Sequence, residues 1–308
     1  MSLRRRRDIW DVVVVGGGIG GLTAAWYTAR HGLPTAVIEA EGLLGGQVAT
    51  VNELDDWPST REESGVELAS AMRTKLEMNS VEIAHEPVIE VKRDGELTLV
   101  RTAERTFRTR RVVAASGAKL RELPAAGTDK FKGKGVSQCA HCDGYFFRNQ
   151  DVVVVGGGDS ALQEALVLAK LAKSVTIVVR SKLRAKRAYV ERAASAANVT
   201  FVWDAEVDAV IGNGAVSGVR LRRKTGEKSE IACSGVFPFI GVEPNTSYLP
   251  SSVRRDDGGR VITDERMRTG EPSIFAIGAV RSGFSGELTG AAGEAAIAAA
   301  TIAADLAR

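Results

Sequence analysis

The sequence predicts an α/β fold built from two Rossmann-like dinucleotide-binding units. A strand, a glycine-rich turn and a helix are written in DVVVVGGGIGG, starting at Asp11. The pattern recurs in DVVVVGGGDSA, starting at Asp151. At 308 residues, the chain has room for two domains with separate cores.

In the first unit, Val12 to Val15 form a continuous β-branched run, the mark of a strand buried on both faces. Gly16, Gly18 and Gly21 then take the G-x-G-x-x-G spacing. The first glycine permits the turn, the second lets backbone approach a pyrophosphate, and the third allows close helix–strand packing. The helix amino terminus offers N–H groups and the positive end of its dipole to phosphate. Thr35 to Glu39 are expected to make the next strand, ending in a carboxylate that can accept hydrogen bonds from a ribose 2′-OH.

In the second unit, Gly156, Gly158 and Ala161 give G-x-G-x-x-A after four valines, with Asp159 and Ser160 opening the helix. The strand Val175 to Val179 ends in Arg180, followed by Lys182, Arg184, Lys186 and Arg187. Cations there bind a 2′-phosphate that a carboxylate would repel; the bland alternative is a solvated helix face. The first site therefore suits FAD or NAD and the second favours NADPH. One flavin and one nicotinamide is the economical pair, because a flavin accepts a hydride and passes electrons onward.

Composition excludes several classes. Hydrophobic content of 44% and charged content of 26% are ordinary for a globular protein, and a net charge of +3 is too slight for a nucleic-acid or acidic-membrane partner. The basic run Arg4 to Arg7 reads as a solvated, frayed end. No apolar run approaches the roughly 20 residues of a membrane span. The start lacks a small-residue cleavage site, so no secretory signal is expected. Three cysteines without such a signal fit a reducing cytoplasm.

Two of those cysteines stand in CAHCDG, as Cys139 and Cys142. Such a pair can be a zinc half-site, a structural staple or a redox couple. Structural zinc needs four ligands, and no second C-x-x-C exists. A staple across so short a loop stabilises little. The redox reading has the context: a nicotinamide site follows directly, and Asp143, a candidate acid/base, is attached. Asp143 can equally serve as a turn or helix-cap residue, and the two roles are compatible. His141 either tunes the neighbouring thiols or faces solvent, and both readings stay open. No metal is expected. His31 and His85 read as surface or helix-end residues, and Cys233 as a buried small residue in a strand.

From about Asp11 to Leu306, the chain resembles the low-molecular-weight, bacterial-type thioredoxin reductases. The resemblance is carried by GGQVATVNELDDWP (45–58), the ASGA turn (115–118), CAHCDGYFFRNQ, FPFIGVEPNT (237–246) and SIFAIGAV with its alanine-rich tail. It implies an NADPH domain inserted into an FAD domain, with residues 1–118 and 246–308 in the latter and 119–245 in the former. It implies Gly46, Gln47, Asn52, Gly117, Gly278 and Ala279 as further FAD-contact positions. It also implies that Cys142 is flavin-proximal and that Cys139 attacks the disulfide of a thioredoxin or another small dithiol protein, in a homodimer whose domains reorient. A histidine at position 141 also occurs in the related alkyl hydroperoxide reductase flavoproteins. Two alternatives therefore accompany the reductase reading: a reductase for a different dithiol or peroxiredoxin partner, and a low-turnover flavin-bound redox sensor.

The chain departs from the family pattern at three places. Gly278-Ala279 stands where the family has Gly-Asp, and Gly286-Glu287 where it has Arg-Gln. Arg180-Ser181 replaces an adjacent arginine pair, with one residue deleted before Arg184.

Overall fold

The computed structural model describes residues 8–51, 54, 57–58 and 64–307, so Asn52 and the Arg4–Arg7 run lie outside the described residues. The chain divides into two compact units. Unit 1 comprises Met1–Lys119 and Glu243–Arg308, and unit 2 comprises Leu120–Val242. The return to unit 1 thus falls at Glu243, ahead of the expected residue 246.

Unit 1 begins with β1 (Trp10–Val15), α1 (Ile19–Arg30) and β2 (Thr35–Glu39). After a 3₁₀ turn over Gly46–Thr50 come α2 (Gly65–Met78), β3 (Glu82–His85), β4 (Val88–Asp94), β5 (Leu97–Thr102) and β6 (Thr106–Ala114). The short β7 (Ala118–Leu120) carries the chain out of the unit.

Unit 2 holds α3 (Thr128–Phe131), α4 (Ala140–Asp143), β8 (Asp151–Val155), α5 (Asp159–Ala169) and β9 (Ser174–Val179). It continues through α6 (Arg187–Ser195), β10 (Val199–Trp203), β11 (Ala205–Asn213), β12 (Ala215–Arg223), β13 (Lys228–Ala232) and β14 (Gly235–Pro238). The short β15 (Val242–Pro244) leads back to β16 (Ile274–Ala276) and α7 (Leu288–Leu306).

The sheet of unit 1 runs β3-β2-β1-β6-β5-β4. β6 is long because it serves two partners on one edge. Its first half pairs antiparallel with β5, and its last three residues pair parallel with β16. A parallel sheet and an antiparallel meander therefore share one strand. In unit 2 the order β10-β9-β8-β14 is parallel throughout, and β11-β12-β13 form a separate antiparallel sheet.

The two valine runs are buried on both faces, for a reason visible in the packing. Val12 and Val14 face the cluster containing Leu22, Leu76 and Ile302, whereas Val13 and Val15 face that of Phe107 and Val112. In β8, Val152 and Val154 face the cluster of Leu162 and Leu168, whereas Val153 and Val155 face Val219 and Leu221. Full burial of one such side chain contributes about 1.5–3 kcal/mol, which a polar replacement would forfeit.

One expectation needs correction. Cys233 is buried, but it lies in the link between β13 and β14 rather than in a strand. Its N–H donates to the Ser217 carbonyl at 3.2 Å, and burial pushes its thiol up to about 12. It is inert packing, not a redox group.

Candidate functional site

The glycines of unit 1 differ in what surrounds them. A Cβ on Gly16 would lie 2.3 Å from the Ala115 carbonyl oxygen, and one on Gly21 would lie 2.0 Å from that of Gly16. A Cβ on Gly18 would meet nothing within 4 Å. The first and third are thus pinned by the protein, while the middle one opens onto space a ligand can enter. No side chain caps α1, whose N-cap is Gly18. This cradle fits the pyrophosphate of a dinucleotide.

The remaining expected residues of unit 1 gather around that loop. Glu39 receives the Gly17 N–H on one carboxylate oxygen and the Glu41 N–H, at 2.9 Å, on the other. It thereby fixes the loop. The Gly45 N–H donates to the Gly17 carbonyl at 2.8 Å, which brings the Gly46–Thr50 turn alongside. Gln47 Nε2 donates to the Ala118 carbonyl. Gly117, with φ +64°, accepts the Asn245 N–H at 3.0 Å, and Ser116 Oγ donates to the Asn245 carbonyl at 2.7 Å.

Ala279 sits in the turn Gly278–Val280 and offers no acceptor. Glu294 of α7, a residue the sequence reading missed, reaches this turn. Its Oε2 accepts the Gly278 N–H at 2.6 Å, and its Oε1 lies 3.0 Å from Arg281 Nε. Burial raises its carboxyl above the usual carboxylate range, against the lowering effects of the Gly278 N–H and Arg281. One signal could have found it: a single acid amid the small residues GAAGEAAIAAA.

Unit 2 repeats the cradle. A Cβ on Gly156 would lie 2.2 Å from the Phe239 carbonyl oxygen, whereas one on Gly158 would meet nothing within 4 Å. Ala161 takes the packed third place and is fully buried. The segment after β9 folds over this loop: the Arg184 N–H donates to the Gly157 carbonyl at 2.7 Å. Asp159 Oδ1 accepts the Lys186 N–H at 2.6 Å, so Asp159 ties that segment down. Ser160, Arg180, Lys182 and Arg184 are exposed. Arg180 Nη1 stands 3.7 Å from Glu206 Oε1.

The dithiol is a disulfide, Cys139–Cys142, with the Cα atoms 5.3 Å apart. Cys139 is the N-cap of α4, and its Sγ accepts the Cys142 N–H at 3.1 Å. The Asp143 N–H donates to the Cys139 carbonyl at 3.1 Å and closes the turn. Cys142 is exposed, while Cys139, His141 and Asp143 are half-buried.

A second residue outside the sequence reading supports the dithiol. Glu164 of α5 accepts the Ala140 N–H on Oε2 at 2.8 Å. Burial raises its carboxyl, while that hydrogen bond and the charge of His141 act to lower it. Sequence spacing gives no hint of this contact, because 24 residues separate the partners. His141 is half-buried on the same short helix.

A parallel strand feeding an uncapped, open glycine loop, built twice, with a redox-competent disulfide in one unit, defines a flavin- and pyridine-nucleotide-type disulfide oxidoreductase. Residues 10–303 match the family described as pyridine nucleotide-disulphide oxidoreductase, and the chain belongs to that family. Within it, thioredoxin reductases are among the similar proteins. The chain is 38% identical to that of Listeria monocytogenes over 94% of its own length and 92% of the relative's. It is 40% identical to that of Treponema pallidum over 89% of each chain. The crystal structure of Lactococcus lactis thioredoxin reductase superposes with a TM-score of 0.91 at 38% identity, covering 95% of this chain and 97% of the other.

Proposed function

We propose that the chain is an FAD-dependent NADPH:disulfide oxidoreductase of the thioredoxin reductase type. In this reading the Gly16–Gly21 loop would hold FAD and the Gly156–Ala161 loop would hold NADPH, and together they would supply the two electrons that reduce the disulfide. The observation that carries the proposal is the Cys139–Cys142 disulfide on α4, in the unit that holds the second open glycine cradle.

The chain's own part in the reaction is thiol chemistry. Two electrons and two protons convert the disulfide into a dithiol. The Cys142 N–H, which donates to Cys139 Sγ, favours negative charge on that sulfur. Cys139 thiolate then attacks one sulfur of the substrate disulfide, releasing the other as a thiolate and forming a mixed disulfide. Cys142 attacks Cys139 in turn, restoring the internal disulfide and freeing the reduced substrate. Asp143, half-buried beside the pair, takes and returns the thiol proton.

A protein substrate fits the surface near the pair. Tyr145 and Phe146 are 68% and 73% exposed, an apolar surface three residues from Cys142. A thioredoxin or another small dithiol protein is the proposed partner, and a homodimer the proposed assembly.

Cys139→Ser tests the reading. The variant is expected to keep NADPH-dependent reduction of the flavin and of one-electron dyes while losing reduction of a thioredoxin disulfide. A variant that still reduces the protein disulfide would sink the assignment of roles. A purified chain that cannot be loaded with FAD would sink the enzyme reading altogether.

A further inference from the structure

The segment after β9 supplies Arg180, Lys182 and Arg184 as exposed cations, with the uncharged Ser181 beside Arg180. The topology brings further cations to the same edge. β9 ends at Val179, directly before Arg180, and its neighbour β10 ends at Trp203. β11 starts directly after Asp204 and pairs antiparallel with β12, with Ala205 opposite Arg223 and Glu206 opposite Arg222. The end of β12 is thereby returned to the carboxyl edge of the parallel sheet.

The result is a cavity of about 490 Å³ lined by Arg180, Asp204, Glu206, Arg222, Arg223 and Lys224, among others. Four of these side chains are cationic and two are carboxylates, a surplus of two positive charges. We propose that the Arg222–Lys224 end of β12 is a subsite for the 2′-phosphate of the pyridine dinucleotide, completing the anion site that Arg180 begins. The proposal rests on the dinucleotide reading of unit 2.

Three observations carry it. The place is right, because the residue ending the strand after the glycine motif reads the ribose 2′ position, and Arg180 lines this cavity. The charge is right, because a phosphate monoester carries roughly −1.5 to −2 at neutral pH. The existing pairs are also loose enough to exchange. Glu206 is shared between Arg180 at 3.7 Å and Arg222 at 3.5 Å, and Lys224 stands 3.6 Å from Asp204. All of these side chains are exposed, so the pairs hold little energy and the cations can turn to a dianion. Glu206 then has a second effect. It keeps Arg180 and Arg222 side by side in the absence of phosphate.

Adenosine 2′,5′-bisphosphate and 5′-AMP separate the possibilities when each is titrated calorimetrically into the full, FAD-loaded chain. Arg222→Met and Lys224→Met are each expected to weaken the bisphosphate at least about tenfold, leaving 5′-AMP within about threefold. Arg222→Lys and Lys224→Arg, which keep the charge, are expected to retain bisphosphate affinity. Equal losses for both nucleotides, or no loss for either, would overturn the subsite while leaving the dinucleotide reading intact. A wild-type chain that binds neither nucleotide would remove the reading on which the subsite rests.

Discussion

Two half-buried carboxylates, Glu164 and Glu294, hold backbone N–H groups at the places where chemistry is expected. Each is raised above the usual carboxylate range by burial. For Glu164 the consequence for stability has a definite sign. Folding raises its pKa, so the native chain binds a proton that the unfolded chain releases near the ordinary 4.5. The associated stability is fully present below 4.5 and is lost as pH rises through the folded value. Glu164→Gln keeps an acceptor for the Ala140 N–H but does not titrate. The urea midpoint of the wild type is therefore expected to fall relative to that of Glu164→Gln between pH 4 and pH 7. A constant difference across that range would mean that the carboxyl is not perturbed by burial.

At the scale of elements, the strand–loop–helix units show why three glycines at fixed spacing are not equivalent. Gly21 packs against the Gly16 carbonyl, whereas Gly18 faces open space. Gly21→Ala is expected to destabilise unit 1 by roughly 1–3 kcal/mol or more, since its methyl group would overlap backbone that cannot move aside. Gly18→Ala is expected to leave thermal unfolding of the FAD-free chain nearly unchanged while lowering FAD affinity about tenfold or more. Calorimetric melting together with FAD fluorescence checks both. If Gly18→Ala melts early and binds FAD normally, the loop is structural and not a cradle.

On the scale of the whole molecule, the cradles belong to separate compact units with separate cores. Damage to one is therefore expected to spare the other. Gly158→Ala should abolish measurable NADPH binding while the purified chain keeps its flavin absorbance. Loss of FAD in that variant would show that the two sites do not fold or load independently. Family membership over residues 10–303 spans both units.

The strands, the glycine loops and the helices that follow them were legible in the sequence because they obey local rules. Four β-branched residues in a row specify a strand buried on both faces. The glycine spacing specifies a turn of one geometry, and CAHCDG contains its two thiols within a single turn. The residues read less well are those whose role depends on distant partners. Cys233 looked like a strand residue because its neighbours are apolar, yet the chain turns there to begin β14. Glu39 looked like a ribose ligand alone, and only the folded loop shows it also accepting the Gly17 N–H. Glu164 and the β12 cations reach their places through helix packing and strand register, which no local pattern encodes, and the isolated acid at Glu294 marks a position without naming its partners. Local sequence thus determined which elements form and which chemistry they carry. Tertiary structure decided where the supporting charges stand, because a half-buried carboxylate or a paired strand end acquires its partners only when distant segments close on it.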